Sequence, residues 1–435
     1  MAGVGQVRLA VTIIATAGGY VVARLTGVGD LSHSSIYLYA ATSMLAIGLY
    51  GSTYAISLPE ARRSVHTVVA AVTVGVFAKS LVISGLMFVL FRQPIVIVLG
   101  VAVAQIDPLS VAALNSHSSM SSRAKSILAA WASFDDPVTV LVTIYAAMFA
   151  LRALGGRATA AFGVSTHDGV LGYLSNLGAN LAFAGVVGTI WLLARSAGRR
   201  RWLASPQSAS LPPAAATTRW SEHDWRYRLA AWQGAAIGIL AVLAAIAVWR
   251  FWLLGLALVG LIFRPRVLAA WLERAVRAAF VLVAVVLGMF LAHGIDVVPG
   301  VVLGVAAFGA QALVSVPLTR KLARNDRVKL ALAQQNGVTA ILLALLLQPM
   351  FPQSTAIVGP AILTVNVLHL AANSLWDRRP VGVTNRQDRR QSASECGLQA
   401  ARARSASNRD RGAIAGGPVY TAGEAVECVP HVGPT

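Results

Sequence analysis

Apolar runs of roughly 18–25 residues recur along this chain, and each is long enough to cross the hydrocarbon core of a bilayer as a helix. Twelve are read, at approximately 8–25, 36–57, 67–91, 94–115, 124–150, 171–194, 228–248, 252–264, 269–293, 297–319, 328–350 and 354–376. In hydrocarbon every backbone amide and carbonyl needs an internal partner, so runs of this kind fold as helices. The expected fold is an all-α polytopic membrane protein with about 12 transmembrane helices. The eighth run is short and reads as half-spanning or tilted, with its boundary near Arg250. Composition agrees: 12% of the 435 residues are charged and the mean hydropathy is +0.67, against roughly 25% charged in a soluble domain.

The net charge of +19 raises nucleic acid as a partner, and its distribution argues against it. The arginines fall in short loops and in the C-terminal tail rather than in a stripe on one folded face. Even-numbered loops carry Arg62 and Arg63, Arg123 and Lys125, Arg195, Arg199, Arg200, Arg201, Arg219 and Arg226, Arg264 and Arg266, then Arg320, Lys321, Arg324 and Arg327. Odd-numbered loops offer only Arg92, Arg152, Arg157 and Arg250, besides Arg24 at the end of the first span. Cytoplasmic loops collect Lys and Arg, so both termini are expected in the cytoplasm. Residues Met1 to Arg8 lead into the first run without a small-residue cleavage site, which reads as an uncleaved span. With no organelle signal, the expected location is the cell (plasma) membrane.

The basic, proline-bearing loop at 195–227 divides the spans six and six, giving halves of about 1–194 and 228–376 within a transporter domain of 1–376. From 377 to 435 the chain is rich in Arg, Ser and Gly and too poor in large apolar residues to fold, so a disordered cytoplasmic tail is expected. Cys396 and Cys428 both lie there, and no disulfide framework is implied.

Against this background three carboxylates stand out. Gln105-Ile106-Asp107-Pro108 lies in the fourth span and Ser133-Phe134-Asp135-Asp136-Pro137 in the fifth. An ionised side chain at membrane depth costs about 2.5–3.5 kcal/mol on insertion scales and marks a functional site by default. Pro108 and Pro137 each remove an amide donor and free a carbonyl one turn back, so both are expected to break their helices. At 1.5 Å per residue, Asp107 falls roughly 20 Å from the outer face and Asp136 about 18 Å from the inner face, both near the midplane. Span eleven carries Gln334-Gln335-Asn336-Gly337 about 12 Å from its start. Two interrupted helices, one in each half and entering from opposite sides, are what an inverted-repeat transporter requires.

Burial disfavours an ionised carboxylate, and a neighbouring carboxylate disfavours it further. A cation bound there restores the charge, whereas protons displace the cation as pH falls. The residues therefore read as an ion site at which H⁺ and a metal cation compete. Other polar residues carry less. Gln335 and Asn336 serve equally as helix-to-helix hydrogen bonders. Asn366, His369 and Asn373 share one face of the last span and read as packing polars. His293 and Asp296 are too few for a metal site. Gly18-Gly19 and Gly300/Gly304 favour close helix packing, and Glu273, Arg274 and Arg277 read as a solvated cluster.

Asp107-Pro108 on one span, with an Asp-Asp pair beginning 28 residues later, resembles the cation:proton antiporter superfamily of sodium/proton exchangers. That family has a Thr-Asp-Pro break on one helix and an Asn-Asp or Asp-Asp pair on the next. The similarity extends through Trp271-Leu272-Glu273, Phe280 to Gly288, and the polar break from Gln334 to Gly337. The resemblance implies an inverted-repeat antiporter fold that exchanges Na⁺ or K⁺ for H⁺, with Asp136 the principal carrier, Asp135 beside it and Asp107 on the broken helix. It also implies a homodimer in lipid, no cofactor and no enzymatic activity. Ser133, Asn336 and Lys79 are the expected supporting residues, and Pro108, Pro137 and Gly337 the helix breaks. The Asp-Asp pair looks like the electrogenic branch, and Trp131 and Ala132 replace the acidic and serine positions of the electroneutral one.

Three positions depart from the family. Ile106 stands where Thr is usual, Ser315-Val316-Pro317 carries no Lys or Arg where a cation often lies, and Gln-Asn-Gly replaces Gly-Arg-Gly. Lys79, near mid-depth in span three, is the substitute cation. Two alternatives stay open: an inverted-repeat transporter of another solute, and an intramembrane aspartyl protease. The latter's Gly-x-Gly-Asp motif is absent.

Overall fold

The computed structural model describes residues 4–27, 34–54, 56, 65–108, 111, 118–154, 169–203, 222–265 and 268–378. Among them the chain forms thirteen helices and no strand. In chain order these are α1 (Val4–Thr26), α2 (Ser35–Tyr54), α3 (Val65–Phe91), α4 (Pro94–Ala102), α5 (Ser122–Ala153), α6 (Gly169–Leu203) and α7 (Glu222–Arg250). There follow α8 (Leu253–Ile262), α9 (Leu268–Leu291), α10 (Val297–Leu318), α11 (Arg324–Ala331), α12 (Val338–Leu347) and α13 (Ser354–Asp377). Each apolar run of the sequence holds a helix, and span eleven is split between α11 and α12. Seven of the helices are long and apolar enough to cross a bilayer unaided.

Two of the short helices, α4 and α12, lie inside the protein. All ten residues of α12 are buried, as are seven of the nine in α4. A helix apolar on every side belongs in a core. Outward-facing apolar side chains such as Ile36, Leu81, Leu171 and Phe149 are more than two-thirds exposed, which is how a lipid-facing surface looks. The ten-residue α8 rises about 15 Å, half of a bilayer core. Arg264 closes its end: the guanidinium donates to Gly260 O, Ile56 O and Thr53 O. One guanidinium thereby ties the end of α8 to the chain leaving α2.

Some boundaries differ from the sequence reading. Pro137 does not break its helix; α5 runs without interruption from Ser122 to Ala153. The fixed φ of proline is compatible with a helix, and the missing amide removes only the bond to the Ser133 carbonyl. Helices α6 and α7 continue into the basic segment expected between the halves, to Leu203 and from Glu222. Arg62, Arg63, Arg157, Arg219 and Arg266 lie outside the described residues. The chain divides after Ser374, and of the second unit, Leu375–Thr435, only the end of α13 is described. The expected tail and both cysteines therefore lie outside it too.

Glycines set the closest helix contacts. A Cβ on Gly19 would fall 1.9 Å from Val285 O, and one on Gly288 would fall 1.9 Å from Thr16 O, so α1 and α9 meet backbone to backbone. Gly18 faces open space, while Gly300 and Gly304 pack against Ile357, Pro360, Ala361 and Thr364 of α13. Gly288→Ala must push α1 from α9. We expect it to lower the melting temperature in detergent, by about 1–3 kcal/mol of overpacking. Gly85→Ala meets nothing within 4 Å and should hold or raise it, as alanine is the better helix former.

Candidate functional site

The site begins with backbone left over where two helices stop. α4 ends at Ala102 and the chain runs open from Ala104 to Asp107, before a bond from Val111 N–H to Asp107 O marks a new helical turn. α11 ends at Ala331 and α12 starts at Val338. Each end exposes amides and carbonyls without helical partners, and in a dry interior each costs several kcal/mol if left so. The two open segments satisfy each other. Asp107 N–H donates to Gln335 O at 2.9 Å. Gln334 Nε2 donates to Gln105 O at 2.7 Å, and Asn336 Nδ2 donates to Val103 O at 3.2 Å.

α13 completes the set. Asn366 donates to Asn336 O and accepts from Asn336 N–H. The Leu332 carbonyl accepts from Asn373 Nδ2 and faces His369 Nδ1 at 2.7 Å. A carbonyl only accepts, so His369 carries its proton on Nδ1 and turns its Nε2 lone pair to the Gln335 amide. The three polar residues of the last span are packing groups whose task is to hold the second break open.

Onto this crossing α5 delivers its two carboxylates. Asp135 and Asp136 are at most 1% exposed and Asp107 3%. Asp135 Oδ2 accepts from Lys79 Nζ at 2.7 Å and from Ile106 N–H at 3.0 Å. Lys79 is itself fully buried, with its ammonium 5.4 Å from the centre of the Trp131 ring. It reaches the site because α3 contains a π-helical turn, Ala71–Gly75, just before it. Such turns re-phase the helix face. Gly100 also lets α4 lie against the backbone of Ser84. Where the resemblance places a threonine hydroxyl, the backbone amide of Ile106 makes the contact instead.

Asp136 is held by neutral donors from both breaks. Its Oδ2 accepts from Thr339 Oγ1 at 2.9 Å. With the Gln105 amide oriented to satisfy both its ends, Nε2 donates to Asp136 Oδ1 at 3.0 Å while Oε1 accepts from Ala340 N–H at 2.7 Å. Asp107 lies within electrostatic reach of Asp136. Its carboxylate rests on Gly337, where a Cβ would stand 2.5 Å from Asp107 Cγ. Glycine is needed there for room. At the N-terminal end of α5, Ser121 caps the helix through Ala124 N–H and is gripped by Asp326 of α11. That contact ties the carboxylate helix to the second break.

The structure thus brings together Asp107, Asp135, Asp136, Lys79, Asn336 and Gly337. Asn336 binds backbone across the breaks. Pro108 starts the turn beyond the first break. Ser133 is buried three residues before Asp136 and makes none of the hydrogen bonds above. Gln105 and Thr339, the direct donors to Asp136, carry no role in the sequence reading. Their signal was position alone: one lies in the first break and the other two residues beyond Gly337. Lys79 offsets Asp135, whereas Asp136 is met by neutral donors, and a buried charge held in that way calls for a proton or a cation.

Comparison with solved structures gives a likeness to the sodium proton antiporter MjNhaP1 from Methanocaldococcus jannaschii, determined at pH 8. The match has a TM-score of 0.56 and 17% identity, and covers 83% of this chain and 92% of that one. The chain has the fold of a sodium/proton exchanger. No family model and no curated protein matches it.

Proposed function

We propose that this protein is a secondary antiporter exchanging Na⁺ or K⁺ for H⁺ at Asp136, with Asp107 as the second carboxylate and Lys79–Asp135 alongside. One observation carries the proposal: both oxygens of Asp136 are held by neutral donors, one from each broken helix, within reach of Asp107. Neutral donors orient a carboxylate and leave its charge for a cation. Neighbouring carboxylates repel when both are ionised, which favours a metal ion or a proton at Asp136. Asp135 differs, since an ammonium already offsets it. An ion-paired carboxylate beside the one that meets the cation supports an electrogenic cycle. The fold's likeness to a sodium/proton antiporter supports the same reading.

The arginine asymmetry of the loops supports cytoplasmic termini, and the lack of an organelle signal supports a plasma membrane. A homodimer follows from the family resemblance, and halves of about 1–194 and 228–376 from the basic loop that divides the spans six and six. The test is proton flux in liposomes holding the purified protein, read with a pH-sensitive dye on adding Na⁺ or K⁺. We expect cation-driven flux whose apparent cation affinity weakens as the pH is lowered from about 9 to about 6, because protons occupy the same oxygens. A flat profile, or no flux with either ion, would refute the proposal.

A further inference from the structure

Beyond Asp135, toward the C-terminal end of α5, a stripe of buried oxygens has no protein partner. Asp135 Oδ1, Thr139 Oγ1 and Thr143 Oγ1 are each buried and unpaired among the described residues. They stand at i, i+4 and i+8 of one helix and so on one face, rising about 6 Å per step. Ser80 Oγ, next to Lys79 on α3, is unpaired as well. More than about 90% of buried polar groups in proteins are hydrogen-bonded. Several exceptions in a line from an ion pair therefore need a common explanation. A threonine hydroxyl placed this way usually bonds the carbonyl one turn back, as Thr73 and Thr42 do here. Thr139 and Thr143 do not.

Water fits the spacing. Two hydrogen bonds of about 2.8 Å in sequence span roughly 5.5 Å, close to the rise of about 6 Å per step along the stripe. Buried waters commonly make about three hydrogen bonds to groups that otherwise lack them. The stripe also has a direction. One turn before Asp135 it is filled by the fully buried Trp131 ring beneath Lys79, and beyond Thr143 it continues with Ala147, a methyl group. We propose that Asp135, Thr139 and Thr143 line a single file of water that carries protons between the Lys79–Asp135 pair and the outer half of the protein, apart from the cation's route to Asp136. This rests on the antiport reading for its use, and on the unpaired oxygens for its existence. Hydroxyls both donate and accept, so each water passes one proton on and takes one up. The net change is one H⁺ moved and one carboxylate protonated.

The experiment separates the two. In a full-length protein with Cys396→Ser and Cys428→Ser, cysteine is placed at Thr139, at Thr143, or at Met148, which is buried about 140° around the helix from Thr143. Each is exposed to Ag⁺, and thiols still free are then counted with maleimide after unfolding. Protection at 139 and 143 but not at 148 is expected; equal reactivity at all three overturns the file, whatever the protein transports. In liposomes, Thr139→Val with Thr143→Val should slow cation-driven proton flux about tenfold while the apparent cation affinity stays within about twofold, and Thr→Ser at both should restore it. Unchanged flux in the valine pair, in a protein whose wild type exchanges, overturns the proton role. An inactive wild type with silver protection at 139 and 143 overturns the antiport reading and leaves the water file standing.

Discussion

Asp136→Asn is expected to reduce cation-driven proton flux to the level of empty liposomes. Asparagine matches aspartate in volume, and its carbonyl oxygen can still accept from Thr339. What it lacks is the charge and the second acceptor. The Gln105 Nε2 donor would then face an amide NH₂ unless one of the two amides turns. Truncating one member of a buried, hydrogen-bonded charge set typically costs about 2–5 kcal/mol, which corresponds to a loss of about thirtyfold or more in cation affinity. A neutral side chain also has no proton to return, so both directions of exchange stop together. Stability should move the other way, because the variant no longer keeps an ionisable group dry. A melting temperature equal to or above wild type, with no flux, is the expected combination. Unchanged flux would remove Asp136 from its role, and a fall in both would assign it a structural one.

The contrast between Asp136 and its neighbours shows what was legible in the sequence. Apolar run length and two interrupted runs were readable because lipid imposes them residue by residue. The crossing of the breaks was legible as well, since depth follows from counting residues along a helix of known rise. What a single chain could not display was which face each helix presents. Pro137 looked like a break, yet proline lies within a helix when its neighbours supply the packing. Gln105 and Thr339 looked like ordinary polar residues because their importance comes from meeting Asp136, Gln105 from the neighbouring span and Thr339 from across more than two hundred positions. Lys79 shows the same limit from the other side. Its depth was countable, but its contact with Asp135 depends on a π-helical turn that the residue types of Ala71–Gly75 do not announce.

Lys79→Met should have the larger effect on stability and a selective effect on transport. The wild-type pair is completely dry, at 2.7 Å with neither side chain exposed. Removing the ammonium leaves Asp135 with the Ile106 amide as its remaining donor, and an uncompensated buried charge costs about 3–5 kcal/mol. Asp135 escapes that cost by holding a proton, which it then has no reason to release during the cycle. The melting temperature should drop sharply, and Lys79→Met combined with Asp135→Asn should recover most of the loss, since two neutral side chains need no mutual compensation. Lys79→Arg is the informative companion. It keeps the charge but must place a broad planar fork where a single Nζ sits over Trp131, and the two cations are not equivalent in a closed site. For transport, a pair that releases a proton each turn adds to the charge moved, so wild-type flux should respond to a membrane potential set with valinomycin. In the double variant that second proton is gone while Asp136 remains. Flux should persist but lose its dependence on voltage. Retention of the full voltage response would show that Lys79 and Asp135 hold the helices together without titrating, and the electrogenic cycle would then need another group.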